Sequence, residues 1–271
     1  MKYILHILRR TQISILRLKI MSQNKFSSTI DPLEIANFNE IADEWWNPEG
    51  KFKPLHQLNY TRLKWIRSKL IKHFSLREEN ITGLNGISVL DVGCGGGLIS
   101  EPISRMGCKV LAIDAGNENI HVAKKHAEDS NIQINYQCTS AETLALSGQT
   151  FDVVLALEIV EHVLDLKQFL LSLTKLTKRE GILIISTLNR TTKSFIYGIL
   201  GAEYVMRWLP RGTHRWDRFV KPSELNSLLA LRGFYAEDMI GLKFNTFKFD
   251  WELSSEVSVN YMFAAVGKVN L

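Results

Sequence analysis

The chain has 271 residues, of which 45% are hydrophobic and 23% charged; that suits one large globular α/β domain with appendages and leaves too little for two full domains. Its net charge of +5 is unevenly placed: residues 1–30 carry six basic side chains (Lys2, Arg9, Arg10, Arg17, Lys19, Lys25) and no acid, so 27 basic and 28 acidic side chains remain beyond them. A nearly neutral body excludes a broad nucleic-acid-binding surface, which needs clustered positive charge.

In chain order, the leader "MKYILHILRRTQISILRLKI" has no apolar run of the about 18 residues that a membrane-spanning helix needs. Arg9, Arg10 and Arg17 interrupt any secretory core. Two readings stand: an Arg-rich, acid-poor mitochondrial presequence, or an upstream extension before a start at Met21. In either case residues 1–30 stand outside the fold.

From 31 to 80 the pattern is helical. Asp31 followed by Pro32 is an N-cap with proline at the first helical position, and Leu33, Ile35, Phe38, Ile41, Trp45 and Trp46 give that helix a broad apolar face. A turn at "NPEG" leads to a second helix over about 56–74. Strand-like runs then follow at 87–92, 109–114, 134–138, 151–157 and 181–188, with helical patterns between the first three and again at about 165–178. Short apolar strands alternating with helices predict a parallel sheet covered on both faces. A helix at 222–232 and two late strands, around 242–251 and 259–266, read as an antiparallel hairpin closing the sheet edge. The expected fold is a doubly wound α/β domain over 81–271, with a mostly parallel seven-stranded sheet, an N-terminal helical cap and an insertion over 190–221.

Cys94, Cys108 and Cys138 lie far apart without a C-x-x-C pair. An odd, sparse count fits a reducing compartment and argues against a disulfide framework or a zinc site.

"LDVGCGGG" (90–97) follows the first strand and opens a helix. Gly93, Gly95, Gly96 and Gly97 permit unusual backbone angles and close approach of a ligand, and Asp114 ends the next strand where an acid can bind ribose hydroxyls. Asp91 can be tied to the backbone or to a ligand ammonium. A dinucleotide fingerprint needs glycine at its sixth position, where this chain has Leu98. The loop instead resembles that of the S-adenosylmethionine (SAM) methyltransferases. That resemblance implies Gly93 and Gly95 at the methionine part of SAM, Asp114 at the ribose, "SAETL" (140–144) flanking the adenine and Leu157 beside the sulfonium.

"LEIVEHV" (157–163) sits at the mouth of the fourth strand, where ligands of open α/β sheets bind. As the first turn of a helix, Glu158, Glu161 and His162 stand at i, i+3 and i+4 on one face. They then converge on a hard divalent cation such as Mg²⁺, or else the acids simply favour a helix N-terminus. Mg²⁺ suits methylation of a catechol, whose oxyanion it stabilises. His162 is a ligand or a general base, and Glu158 shares the catalytic assignment.

"DEWWNPEGKFKPLHQLNYTRL" (43–63), "LDVGCGGGLISEP" (90–102), "LEIVEHV", "STLNRT" (186–191), "GAEYVMRWLPRGTH" (201–214) and "VNYM" (259–262) together resemble the ubiquinone-biosynthesis O-methyltransferases over about 31–267. The resemblance implies methylation of a 2-polyprenyl-6-hydroxyphenol (or polyprenyl dihydroxybenzoate) and of 3-demethylubiquinol. It also implies a Mg²⁺ site at Glu158, Glu161 and His162, and a SAM contact at Arg62. "RGTHRWDRF" (211–219) departs from the pattern at Arg215, where an acid is commoner, and leaves the local contacts open.

A substrate with a long isoprenoid tail requires a membrane surface. Between 190 and 221, Arg190, Lys193, Arg207, Arg211, Arg215, Arg218 and Lys221 face two acids, Glu203 and Asp217, among many aromatic and aliphatic residues. Such a mixture suits a segment lying in a bilayer interface, or a substrate lid. "EWWNPEG" reads as a lid over SAM or as an aromatic staple. The expected partners are the polyprenylated phenol or quinol, a membrane surface and other quinone-pathway enzymes, without nucleic acid. The expected setting is the cytoplasmic face of a bacterial inner membrane, or the matrix side of the mitochondrial inner membrane.

Overall fold

The computed structural model describes residues 28–77, 83–196 and 216–267. Residues 1–27 and most of the 190–221 insertion, including Arg207, Arg211 and Arg215, therefore lie outside the described residues. The expectation that the fold excludes residues through 30 is corrected at its end: Thr29 is buried, donates to Glu142 and accepts from Leu164 N at 2.8 Å, so the fold begins before Asp31.

The sheet has eight strands: β1 (Ser88–Val92), β2 (Lys109–Asp114), β3 (Asn135–Cys138), β4 (Phe151–Leu157), β5 (Thr177–Leu188), β6 (Phe234–Asn245), β7 (Asp250–Ser254) and β8 (Asn260–Gly267), in the order β3-β2-β1-β4-β5-β8-β6-β7. The β1–β2, β1–β4, β2–β3 and β4–β5 pairs are parallel, and β5–β8, β6–β8 and β6–β7 are antiparallel. The strand order reverses between β1 and β4, which opens the crevice where such sheets bind ligands. On β4, Val153 and Leu155 pack into one core and Val154 and Ala156 into the other, the two-sided burial of a parallel central strand.

Helix α1 (Pro32–Glu40) starts on the expected cap: the Asp31 side chain accepts from Leu33 N at 3.1 Å. It ends at Glu40, however, and a short 3-10 helix (Ala42–Glu44) carries the chain toward Trp45. Leu33 is 75% exposed, and α1 itself has no fully buried residue. The continuous apolar face expected from Leu33 to Trp46 is therefore divided. The tryptophans belong to a small separate cluster of Ala42, Trp45, Phe52 and Leu98. Helix α2 (Lys53–His73) buries Leu58, Trp65, Ile66 and Leu70 against the sheet.

The remaining helices are α3 (Ser100–Arg105), α4 (Asn117–Asp129), α5 (Ala141–Ala145), α6 (Leu166–Leu176), the single turn α7 (Thr192–Ser194) and α8 (Pro222–Ala230). None among the described residues is long and apolar enough to cross a membrane.

Two expectations are corrected here. The closing hairpin is a three-stranded antiparallel unit: β8 lies between β5 and β6, and β7 is the edge. Strand β6 begins at Phe234, earlier than its pattern suggests, because "YAE" (235–237) is exposed and a register irregularity separates Ala236 from Asp238. These features blur the two-residue alternation that marks a strand.

Secondly, "EIVEH" is not helical. Glu158 N bonds Ser186 O at 2.9 Å, prolonging the β4–β5 pairing, and Glu158 then turns left-handed at φ +52°. The helix waits for Asp165, whose side chain accepts from Gln168 N at 3.0 Å as the α6 cap.

Candidate active site

A cavity of about 960 Å³ runs along the carboxyl ends of β1, β2 and β4. Of the residues assigned to the site from sequence, Arg62, Asp91, Gly93, Gly95, Asp114, Leu157, Glu158, Glu161, His162 and 140–142 line it, whereas Gly96, Gly97, Thr143 and Leu144 do not.

At one end backbone donors fix the geometry. Gly93 N and Cys94 N both donate to Ile113 O, at 2.8 and 3.0 Å. Asp114 Oδ2 accepts from Gly95 N at 3.0 Å, and Oδ1 accepts from Gly116 N at 2.7 Å and Asn119 Nδ2 at 3.1 Å. One carboxylate thus ties the loop to the end of β2, and its Oδ2 retains acceptor capacity for a ribose hydroxyl. Burial pushes its pKa up, and these donors oppose the shift.

Glycine at Gly95 and Gly96 is also a packing requirement. Added Cβ atoms would stand 2.3 and 2.4 Å from Trp45, and Gly95 has φ +51°. Trp45 stacks on Phe52 with centroids 3.7 Å apart and donates through Nε1 to Asn119 Oδ1 at 2.8 Å. Trp46 Nε1 donates to Gly96 O at 2.8 Å. The "EWW" segment thus staples the cap to the glycine loop, and Trp45 also lines the cavity.

Asp91, buried beside the loop, accepts from Ser100 Oγ at 2.6 Å, and burial pushes its pKa up to about 6. At the adenine end expected from sequence, Ser140 caps α5, and Glu142 Oε1 accepts from Thr29 Oγ1 at 2.7 Å.

The other end is held by side chains. Glu158 Oε1 accepts from Ser186 Oγ at 2.8 Å and from the Arg62 guanidinium, which is buried on α2. Glu161 Oε2 accepts from Thr187 Oγ1 at 2.8 Å, whereas its buried Oε1 has no partner. Burial raises the Glu161 pKa and the neighbouring Glu158 adds to the shift.

His162 N closes a turn on Ile159 O at 2.9 Å. Its Nδ1 donates to Glu34 Oε2 at 3.0 Å, with Phe38 edge-on to the ring at 5.4 Å. Burial alone would lower the His162 pKa; the bond to Glu34 and the charges of Glu161, Glu34 and Glu158 outweigh it and hold it above the usual value.

A tight turn in place of the expected helix therefore sets Glu158, Glu161 and His162 within electrostatic reach of one another. As arranged, Glu158 faces Arg62 and His162 faces Glu34. No group of three or more His, Cys, Asp or Glu side chains among the described residues is placed to hold a metal ion. The set as it stands does not fit Mg²⁺; the unpaired Glu161 Oε1 is the feature that a cation would satisfy.

Sequence reading missed Glu34, Ser186 and Thr187. Glu34 is 128 residues from His162, beyond any local pattern. Two hydroxyl residues near the end of the apolar run 181–188 were a readable signal.

A methyltransferase-domain family model matches residues 90–185. The chain is 46% identical over 242 residues to the ubiquinone biosynthesis O-methyltransferase of Azorhizobium caulinodans, covering 89% of this chain and 95% of that protein. It is 49% identical over 241 residues to the protein of that name in Cereibacter sphaeroides, covering 89% and 98%. Among solved structures, a magnesium protoporphyrin IX methyltransferase from Synechocystis with bound S-adenosylhomocysteine matches at TM-score 0.54 and 19% identity, over 79% of this chain and 83% of that one. The PH0226 protein of Pyrococcus horikoshii also matches at TM-score 0.54 and 19% identity, over 78% and 92%. These two likenesses concern the fold. The identity to the bacterial proteins, sustained along nearly the whole chain, makes this chain a member of the ubiquinone biosynthesis O-methyltransferase family.

Proposed function

We propose that the protein transfers the methyl group of SAM to a phenolic oxygen of polyprenylated rings, both the early catechol (2-polyprenyl-6-hydroxyphenol or its carboxylated form) and 3-demethylubiquinol. The observation that carries this reading is the single cavity: a glycine loop with Asp114 at one end and the Glu158–Glu161–His162 turn at the other.

In the reaction, the phenolic oxygen attacks the methyl carbon in line with the carbon–sulfur bond, which breaks to leave S-adenosylhomocysteine. Most of the acceleration comes from holding the reactants in line. Asp91 faces the methionine ammonium and Asp114 the ribose, while Leu157 walls the sulfonium. Glu34 fixes the His162 proton on Nδ1, so the other ring nitrogen is the one that takes the phenolic proton.

A divalent cation, if bound at Glu158, Glu161 and His162, would supply stabilisation of the phenolate. His162 would offer it the ring nitrogen that Glu34 does not hold, and in that case would not take the phenolic proton. Support comes from the Glu161 oxygen without a partner and from the family resemblance.

The basic, aromatic-rich 190–221 segment meets the bilayer in this reading. That agrees with either expected location, the bacterial inner membrane or the matrix face of the mitochondrial one, and leaves room for contact with other quinone-pathway enzymes.

The test is methyl transfer from labelled SAM to a short-chain demethylubiquinol after EDTA treatment, with and without Mg²⁺. Activity on the demethylubiquinol that is lost in His162→Ala is the expected result, and a requirement for Mg²⁺ that disappears in Glu161→Gln would add the cation. Full activity without metal would leave His162 acting as the base alone. No turnover despite SAM binding would overturn the substrate assignment.

A further inference from the structure

The most exposed large apolar side chains described lie at one place, the turn between β6 and β7: Phe247 is 97% exposed and Phe249 79%. The turn is well built. Asn245 Oδ1 accepts from Phe247 N at 3.0 Å and Lys248 N at 3.1 Å, which closes the loop on itself and leaves the Phe247 side chain in solvent. Lys248 reaches back to Glu252 at 2.7 Å, so the charge at the tip is neutralised within the hairpin. The result is an ordered apolar wedge with little net charge.

The hairpin is also a wall of the acceptor cavity. Leu242, Lys243, Phe244, Thr246 and Trp251 line it, as do Lys193 and Ile196 at the root of the insertion, where Lys193 pairs with Glu256 just beyond β7. Ile196 is 48% exposed, so the cavity reaches the surface beside it. Phe244 and Trp251 are directly opposite across the strands, with ring centroids 5.5 Å apart, and Phe249 stands edge-on to Phe244 at 6.1 Å. A ladder of aromatic rings thus leads from the cavity wall to the exposed tip.

We infer that the β6–β7 hairpin is a bilayer-contacting element in its own right: its tip, Phe247 and Phe249, enters the lipid interface, and the apolar tail of the acceptor leaves the cavity along Trp251, Phe244 and Phe249. The inference rests on the proposal that the substrate is membrane-borne. It assigns a contact distinct from the basic insertion. Burial of apolar rings drives it, with no demand for anionic headgroups, so it operates on neutral lipid and in high salt.

The test uses the full chain with Cys138 replaced by serine, since Cys94 and Cys108 are buried, and Phe247→Cys carrying an environment-sensitive fluorophore. Vesicles are phosphatidylcholine alone, or phosphatidylcholine with phosphatidylglycerol. The expected result is a blue shift on both vesicles that survives raised salt. A Phe247→Ser variant, which leaves the ring contact of Phe249 with Phe244 in place, should bind SAM normally and turn over a short-tailed acceptor as the parent does. Its affinity for neutral vesicles should fall by roughly tenfold, and its kcat/KM on a long-tailed acceptor in vesicles with it. Aqueous emission from position 247 while the protein co-sediments would overturn the hairpin assignment and leave the membrane reading standing. Absence of co-sedimentation with either vesicle would overturn the membrane reading itself.

Discussion

The two ends of the cavity are built on different principles. At the glycine loop the geometry is fixed largely by backbone N–H groups: those of Gly93 and Cys94 on Ile113 O, and those of Gly95 and Gly116 on Asp114; the unpartnered polar atoms at that end, Tyr136 Oη beside Gly97 and Asn39 Oδ1 beside Gly116, lie outside the cavity lining. At the acceptor end, side chains from distant elements meet, and three buried polar atoms in the cavity lining have no partner: Arg62 Nε, Glu161 Oε1 and Trp251 Nε1. Buried polar atoms are costly to leave unpaired, and each of these three is a group that a polar ligand would satisfy. One half is set largely by the backbone, the other by side chains that only folding brings together.

If the halves are separable, chemistry can be removed without loss of cofactor binding. His162→Ala is expected to lower kcat by roughly 10²–10⁴-fold, the usual worth of a positioned acid–base group, with SAM affinity by calorimetry almost unchanged. A parallel collapse of SAM binding would show that the two ends stand or fall together.

The reverse experiment is Gly95→Ala. The new Cβ would stand 2.3 Å from buried Trp45 at a left-handed backbone position, costing about 2–4 kcal/mol. Lower thermal stability and a SAM dissociation constant raised tenfold or more are expected. Unchanged binding would mean that Trp45 yields and the socket is softer than it looks.

The smallest effect is in pH. Asp91 is held near pKa 6 by burial, so the folded protein binds its proton more tightly than the unfolded chain does. Its contribution to stability is present at acid pH and is lost as pH rises from the ordinary carboxylate value through about 6. A ligand ammonium prefers the ionised form, so SAM affinity should rise with pH, by up to about tenfold per unit below 6, and level off above it. Asp91→Asn should flatten that rise. A profile identical to that of the parent would remove Asp91 from the ammonium site.

The cofactor end was legible in the sequence because its determinants are local: glycines whose left-handed angles the residue type permits, and an acid at the end of the next strand. Acceptor-end chemistry was legible as composition, two carboxylates and an imidazole at a strand mouth, but its shape was not. A left-handed glutamate has no signature in helical periodicity, so the spacing of Glu158, Glu161 and His162 suggested a helix where the chain makes a turn. Glu34 could not be found from its own neighbourhood, since its partner is brought close only by folding. The exposed start of β6 shows the remaining gap: alternation identifies a strand only where one face is buried throughout.

One feature of the sheet bears on how the molecule is made. β8 is flanked by β5 and β6, and Tyr261 to Ala265 are buried. The strand joining the antiparallel unit to the rest is thus synthesised after both of its neighbours. Strands β1 to β5 and the glycine loop can assemble while the chain is still emerging from the ribosome, but the β6–β7 wall joins the sheet only through Asn260–Gly267, its other hold being on α2, where Thr61 Oγ1 donates to Trp251 O at 2.8 Å. During that interval one edge of β5 is unpaired and open to mispairing, so a chain stalled or cut before residue 260 would lack the strand that joins the wall to the sheet.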